Sequence, residues 1–219
     1  MAGLAHHFEE GSWGMYPILF WQIIAIGIII ERAIFLYRAS INRDVFLATM
    51  QKCILAGDVA KAVKMCSAAN APLARIVQAG LVKVNRPDEE VQAAMDEAAL
   101  REMPKISKRT GFLAMFSNLA MLSGLFGTIV GLIKAFGAVG GESVNPSQKA
   151  RILAEGISEA MNCTAFGLMA AIVALLGFAM LNGKTQSLLD DINAATVQVV
   201  NLVVSNRSKI NMSTLQQAA

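Results

Sequence analysis

Charge is what this sequence is short of. Asp, Glu, Lys and Arg make up 16% of 219 residues, apolar residues make up 55%, and the mean hydropathy is positive, a balance outside the range of soluble domains. Such a chain belongs in a bilayer. The net charge is only +3 and no basic stripe alternates with aromatics, so nucleic-acid binding is set aside. The three cysteines, Cys53, Cys66 and Cys163, form no CxxC pair, and an odd, scattered set argues against both a disulfide framework and a zinc site. His6 and His7 have no further Cys or His in reach and read as part of a solvated N-terminal tail. No nucleophile and base pair, phosphate loop or metal-ligand spacing is present, so neither an enzyme nor a cofactor or metal site is expected. Residues 1–14 contain no Lys or Arg; the basic region of a cleaved signal peptide is missing, and the first apolar segment is expected to be retained.

What is there is an all-α pattern with three apolar runs. Residues 15–37 are almost wholly apolar and suffice for a first span, since a hydrocarbon core of ~30 Å needs about 20 residues at a rise of 1.5 Å. Trp13, Tyr16 and Trp21 near its start resemble an interfacial belt, and Glu31 and Arg32 near its end read as anchors reaching for headgroups. Residues 38–111 change character: apolar positions recur at three and four (Val45, Met50, Ile54, Leu55; Val59, Val63, Cys66; Ile76, Val77, Leu81, Val84), which predicts a helical segment outside the membrane. Gly57-Asp58, Asn70-Ala71-Pro72 and Asn85-Arg86-Pro87 punctuate it, with Asp58 as an N-cap. From the acidic start Pro87-Asp88-Glu89-Glu90 a long helix runs on, with a kink or break expected at Pro104.

The second span is expected at 112–136, a linker at 137–156, the third span at 157–182, and a helix with a tail at 183–219. On the second span Ser123, Gly127 and Gly131 lie four apart on one face, and on the third Thr164, Gly167, Ala171 and Ala174 form another small-residue face. In lipid, where burying apolar surface gives no drive, such faces let backbones approach and supply helix association. The remaining polar residues of these spans need another reason, because an ionised side chain near the midplane costs at least ~2.5–3.5 kcal/mol. Glu159 sits near one mouth, and Thr128 and Thr164 lie within. No Asp, Glu, His or Lys occurs near a midplane, so either no proton moves or the central titrating carboxylate belongs to another polypeptide. Hydroxyls donate, accept and hold water, which suits the wall of a half-channel around an inserted partner helix.

At these residues the sequence resembles the MotA/TolQ/ExbB proton channel family, most closely its TolQ/ExbB branch. The carriers are GLFGTIVGLIKAF at 124–136 and GISEAMNCTAFGLMAAI at 156–172, supported by PILFWQIIAIGIIIERAIFLYR at 17–38. The resemblance implies a homo-pentameric ring around a pair of single-span partners similar to ExbD or TolR, each bearing an intramembrane Asp that takes the proton, with work delivered across the periplasm. It also implies that Thr128, Glu159 and Thr164 line the polar pathway. Met121 and Val173 stand where the family often has Pro, so less bending is expected there, and Asn162 and Cys163 stand where apolar residues are common, which hints at a specialised branch; motors that drive gliding use homologues of this kind, and no feature of either tail decides between them.

Orientation follows from basic residues. Arg32 to Arg109 contributes 13 Lys and Arg, the C-terminal region 3, the linker with Lys134 another 3, and the N-terminus none. The N-terminus is therefore expected in the periplasm, and residues 38–111 and 183–219 in the cytoplasm of a bacterium, with the chain in its inner membrane. Two other classes remain open on the residues alone: a self-sufficient small-ion carrier using Glu159, for which no repeat or broken helix is seen, and a scaffold whose polar span residues only join helices.

Overall fold

The structure, a computed structural model, describes residues 14–140 and 146–206. Trp13, His6 and His7, the turn residue Asn145, and the tail with Arg207 and Lys209 lie outside the described residues. Seven helices are formed among the described residues, with no strand: α1 Met15–Ala39, α2 Arg43–Leu55, α3 Val59–Ala68, α4 Pro72–Val82, α5 Asp88–Ser107, α6 Thr110–Val139 and α7 Pro146–Ser205. Helices α1, α6 and α7 each contain a stretch long and apolar enough to cross a membrane. The chain divides into two compact units, Met1–Arg32 with Arg109–Leu181, and Ala33–Lys108 with Asn182–Ala219.

In the second unit the turn signals fall where the helices end. Asp58 accepts the Lys61 amide at 3.0 Å and so caps α3, Gly57 adopts a left-handed φ of 75° that suits glycine, and Pro72 opens α4 at a position where its missing N–H costs nothing. Helix α2 packs on α3, α3 on α4 and α4 on α5, around Met50, Ile54, Val59, Ile76, Leu81 and Met95, all essentially inaccessible. Val45 and Leu55, part of the same apolar periodicity, are instead exposed. The C-terminal part of α7 buries Leu188, Ile192, Ala195 and Val199 and is tied to α2 by Arg43, whose Nη1 lies 3.4 Å from Asp191.

Three local departures from the sequence pattern have physical causes. Pro104 does not end α5: the helix accommodates it, and the Lys108 amide still reaches the Pro104 carbonyl at 3.0 Å. The break comes at Lys108, which is extended, and Arg109, whose φ is 69°. A non-glycine residue in that region is strained, and here its side chain is held by Glu31 at 2.9 Å. Second, Arg32 is 4% exposed; it lies within the fold beside Glu31 at 3.5 Å instead of reaching outward. Third, α7 runs unbroken for 60 residues through Gly156 and Asn182-Gly183-Lys184. A helical glycine costs only ~1 kcal/mol, too little to stop a helix that packing supports on both sides.

Candidate functional site

The first unit is built on an antiparallel pairing of α6 with α7. Reading along α6, Ala135 meets Gly156, Gly131 meets Ala160, Gly127 meets Cys163 and Gly124 meets Gly167; the numbers fall along one helix as they rise along the other, in steps of three or four. A methyl carbon added at Gly124 would lie 3.0 Å from the Cys163 carbonyl oxygen and 3.1 Å from the Gly167 Cα, and one added at Gly167 would lie 2.9 Å from the Gly124 Cα. The two backbones are therefore in direct contact, as small residues permit. Where the seam continues, the buried Ser117 hydroxyl donates to the Ala171 carbonyl at 2.8 Å. Helix α1 closes the side of this pair, with Ile18, Ala120 and Ala170 buried together beside Trp21 and Phe166. Trp21 stacks on Phe116 at 5.8 Å; it packs between helices, while Tyr16 is exposed.

At the centre of the seam the Thr128 and Thr164 hydroxyls are hydrogen-bonded to each other. Thr128 also donates to the Gly124 carbonyl at 3.0 Å, and Thr164 lies 3.5 Å from the same oxygen. Both threonines are half-buried. Thr128 thus makes both the local bond that a helical threonine commonly makes and a bond across the seam. Two hydroxyls have two protons for these three contacts: with Thr128 donating to the Gly124 carbonyl, Thr164 donates to the Thr128 oxygen, and the Thr164 oxygen keeps lone pairs that can accept from a water or an entering group.

Glu159 is half-buried one turn before Cys163 and lines a narrow cleft with Gly14, Gly127, Val130, Gly131, Lys134 and Cys163. Glu159 and Thr164 flank the seam from different directions, as their five-residue spacing requires. Of the small-face residues, Gly127, Gly131, Gly167 and Ala171 lie in the seam, whereas Ser123 does not. Its hydroxyl bonds back to the Leu119 carbonyl at 2.7 Å, and it borders a separate apolar cleft of about 230 Å³ with Gly14, Pro17, Leu119, Leu122 and Phe126. The residue that fills the place read for Ser123 is Gly124. A strict spacing of four drifts off a 3.6-residue face, and following 131 to 127 to 124 would have found it. Met121 and Val173 are both exposed. Cys163 is buried against Gly127 of α6, and a methyl carbon at Gly14, just before α1, would fall 3.1 Å from its sulfur.

The MotA/TolQ/ExbB proton channel family model matches residues 68–194, more than half of the chain, and the chain belongs to that family. It is 33% identical over 184 residues to an ExbB-like biopolymer transport protein of Synechocystis, covering 81% of this chain and 70% of that one. It is 30% identical over 205 residues to the biopolymer transport protein ExbB of Neisseria meningitidis, covering 85% and 90%. A Tol-Pal system protein TolQ of Haemophilus influenzae is 36% identical over 98 residues, which are 45% of this chain and 42% of that protein. The protein is thus a membrane protein of the ExbB/TolQ proton-channel type, a transport class and not an enzymatic one.

Proposed function

We propose that this chain is the ring-forming subunit of a proton-driven motor in a bacterial inner membrane. In this reading it forms a homo-pentamer whose α6 and α7 enclose single-span ExbD/TolR-like partners, each carrying an intramembrane Asp. The N-terminus faces the periplasm and the C-terminus the cytoplasm. Work is delivered across the periplasm to import, envelope maintenance or gliding, according to the partner. The single observation that carries the reading is the Thr128–Thr164 hydroxyl pair over the Gly124 carbonyl. It is a polar spot at the middle of a seam that needs no polar group for packing, since the glycines and alanines on either side already bring the backbones together.

The pathway then runs from Glu159 at the periplasmic mouth to the hydroxyl pair, and from there to the partner's carboxylate. A hydroxyl that accepts a proton from one neighbour can release its own to the next, so the pair relays without holding net charge in the low-dielectric region, where charge is costly. No described residue of α1, α6 or α7 midway through its span is acidic, which is why the reading assigns the titrating step to the partner. The test is proton uptake into vesicles under an imposed potential. The chain alone is expected to give no more uptake than empty vesicles, and the complex co-purified through a tag on this chain to give clear uptake. Uptake by the chain alone would instead make it a self-sufficient carrier.

A further inference from the structure

Lys134 and Glu159 share one cleft, and neither forms an ion pair with a described residue. They stand at the same level across the seam, bracketed by the contacts of Gly131 with Ala160 and of Ala135 with Gly156. The other walls are Gly14, just before α1, Gly127, Val130 and Gly131 from α6, and Cys163 from α7, so among the described residues no further charged side chain lines the cleft. The free volume is about 10 Å³ for the centre of a water molecule, room for about one water.

These dimensions and charges bear on which cation can reach Glu159. A sodium ion carries a shell of several waters and would have to shed nearly all of them to enter a cleft with room for about one. It would also meet the Lys134 ammonium, which lowers the local concentration of any free cation. A proton needs neither space nor replacement ligands: it passes along one water and joins the carboxylate covalently. From this we infer that Lys134, an exposed residue on the wall of the one-water cleft, is a selectivity residue whose positive charge keeps sodium off Glu159 while protons pass. The inference rests on the reading of Glu159 as the mouth of the ion path.

The experiment uses the co-purified complex in vesicles, with proton uptake followed in potassium and in sodium buffers and sodium entry followed with a radioactive tracer. Wild type and Lys134→Arg are expected to take up protons at the same rate in both buffers and to exclude the tracer. In Lys134→Gln the positive charge is gone from the cleft wall, and free cations are no longer repelled from the mouth. Sodium should then slow proton uptake several-fold or enter itself. A Lys134→Gln complex as indifferent to sodium as wild type overturns the inference. Glu159→Gln separates the two levels: if it abolishes proton uptake while Lys134→Gln stays sodium-insensitive, only the role of Lys134 falls. If Glu159→Gln takes up protons normally, the ion-path reading falls with it.

Discussion

Gly124→Ala tests whether the α6–α7 seam is as close as described. The added carbon would meet the Cys163 carbonyl at 3.0 Å, the Gly167 Cα at 3.1 Å and the Thr164 Cα at 3.5 Å. All three are backbone atoms of the facing helix, so no side chain can swing aside. Restoring ordinary contact at ~3.5 Å needs the helices to separate locally by about 0.5 Å, which stretches the Ser117–Ala171 bond further along the seam. Overfilling a packed interface costs ~1–3 kcal/mol, and a weakened interhelical hydrogen bond adds ~0.6 kcal/mol. Alanine regains up to ~1 kcal/mol of helix propensity, leaving a net loss of roughly 1–3 kcal/mol. The controls are Gly27→Ala and Gly137→Ala, where an added carbon meets nothing within 4 Å and the propensity gain should appear alone. Denaturant titration of the full chain in mixed micelles, followed by circular dichroism and tryptophan fluorescence, measures all three. A Gly124→Ala protein as stable as the controls would refute the close seam.

Two further outcomes concern the second unit. Burial, reinforced by the nearby Cys53, pushes the Cys66 thiol up from 9.0 to about 12. Below pH ~9 the thiol is protonated in both folded and unfolded chains and contributes nothing. Above it only the unfolded chain ionises, so stability should fall by at most ~1.4 kcal/mol per pH unit between 9 and 12; Cys66→Ala should flatten that limb of the pH–stability curve. Glu102 is buried and accepts from Arg75 at 3.4 Å and Lys105 at 2.6 Å, whose side chains are 52% and 56% exposed. Glu102→Gln frees two cations that simply rehydrate and should cost under ~1 kcal/mol, whereas the double change Arg75→Met and Lys105→Met strands a buried carboxylate and should cost ~3–5 kcal/mol in the same titration. Equal losses in the two variants would contradict this asymmetry.

Much of the fold was legible because the determining signals are local. Turn residues such as Asp58 and Pro72 act on their own backbones, and the three apolar runs are defined by length. Signals that depend on a facing helix were harder to read. The left-handed turn at Arg109 comes with a hydrogen bond to Glu31, 78 positions away, and nothing in the neighbouring residues announces it. Arg32 is hydrophilic by type but is buried, and α7 continues through its glycines because each costs a helix too little to end it. The site divides in the same way. Thr128 and Thr164 could be named as polar residues in apolar spans, but their mutual bond depends on the antiparallel register, which only the matching of Gly124 with Gly167 and Gly131 with Ala160 fixes. Lys134 read simply as a basic residue near a span end, because the cleft it shares with Glu159 forms only once both helices are in place.

The most direct test of the hydroxyl relay compares serine with valine at the two seam positions. Serine keeps the O–H and valine keeps the shape, so packing and chemistry separate. In the co-purified complex, Thr128→Ser and Thr164→Ser are expected to retain most of the proton uptake, and Thr128→Val and Thr164→Val each to lose at least roughly tenfold, with all four assembling normally. Wild-type uptake by both valine variants would contradict the account, because the protons would then be crossing this protein without using its hydroxyls.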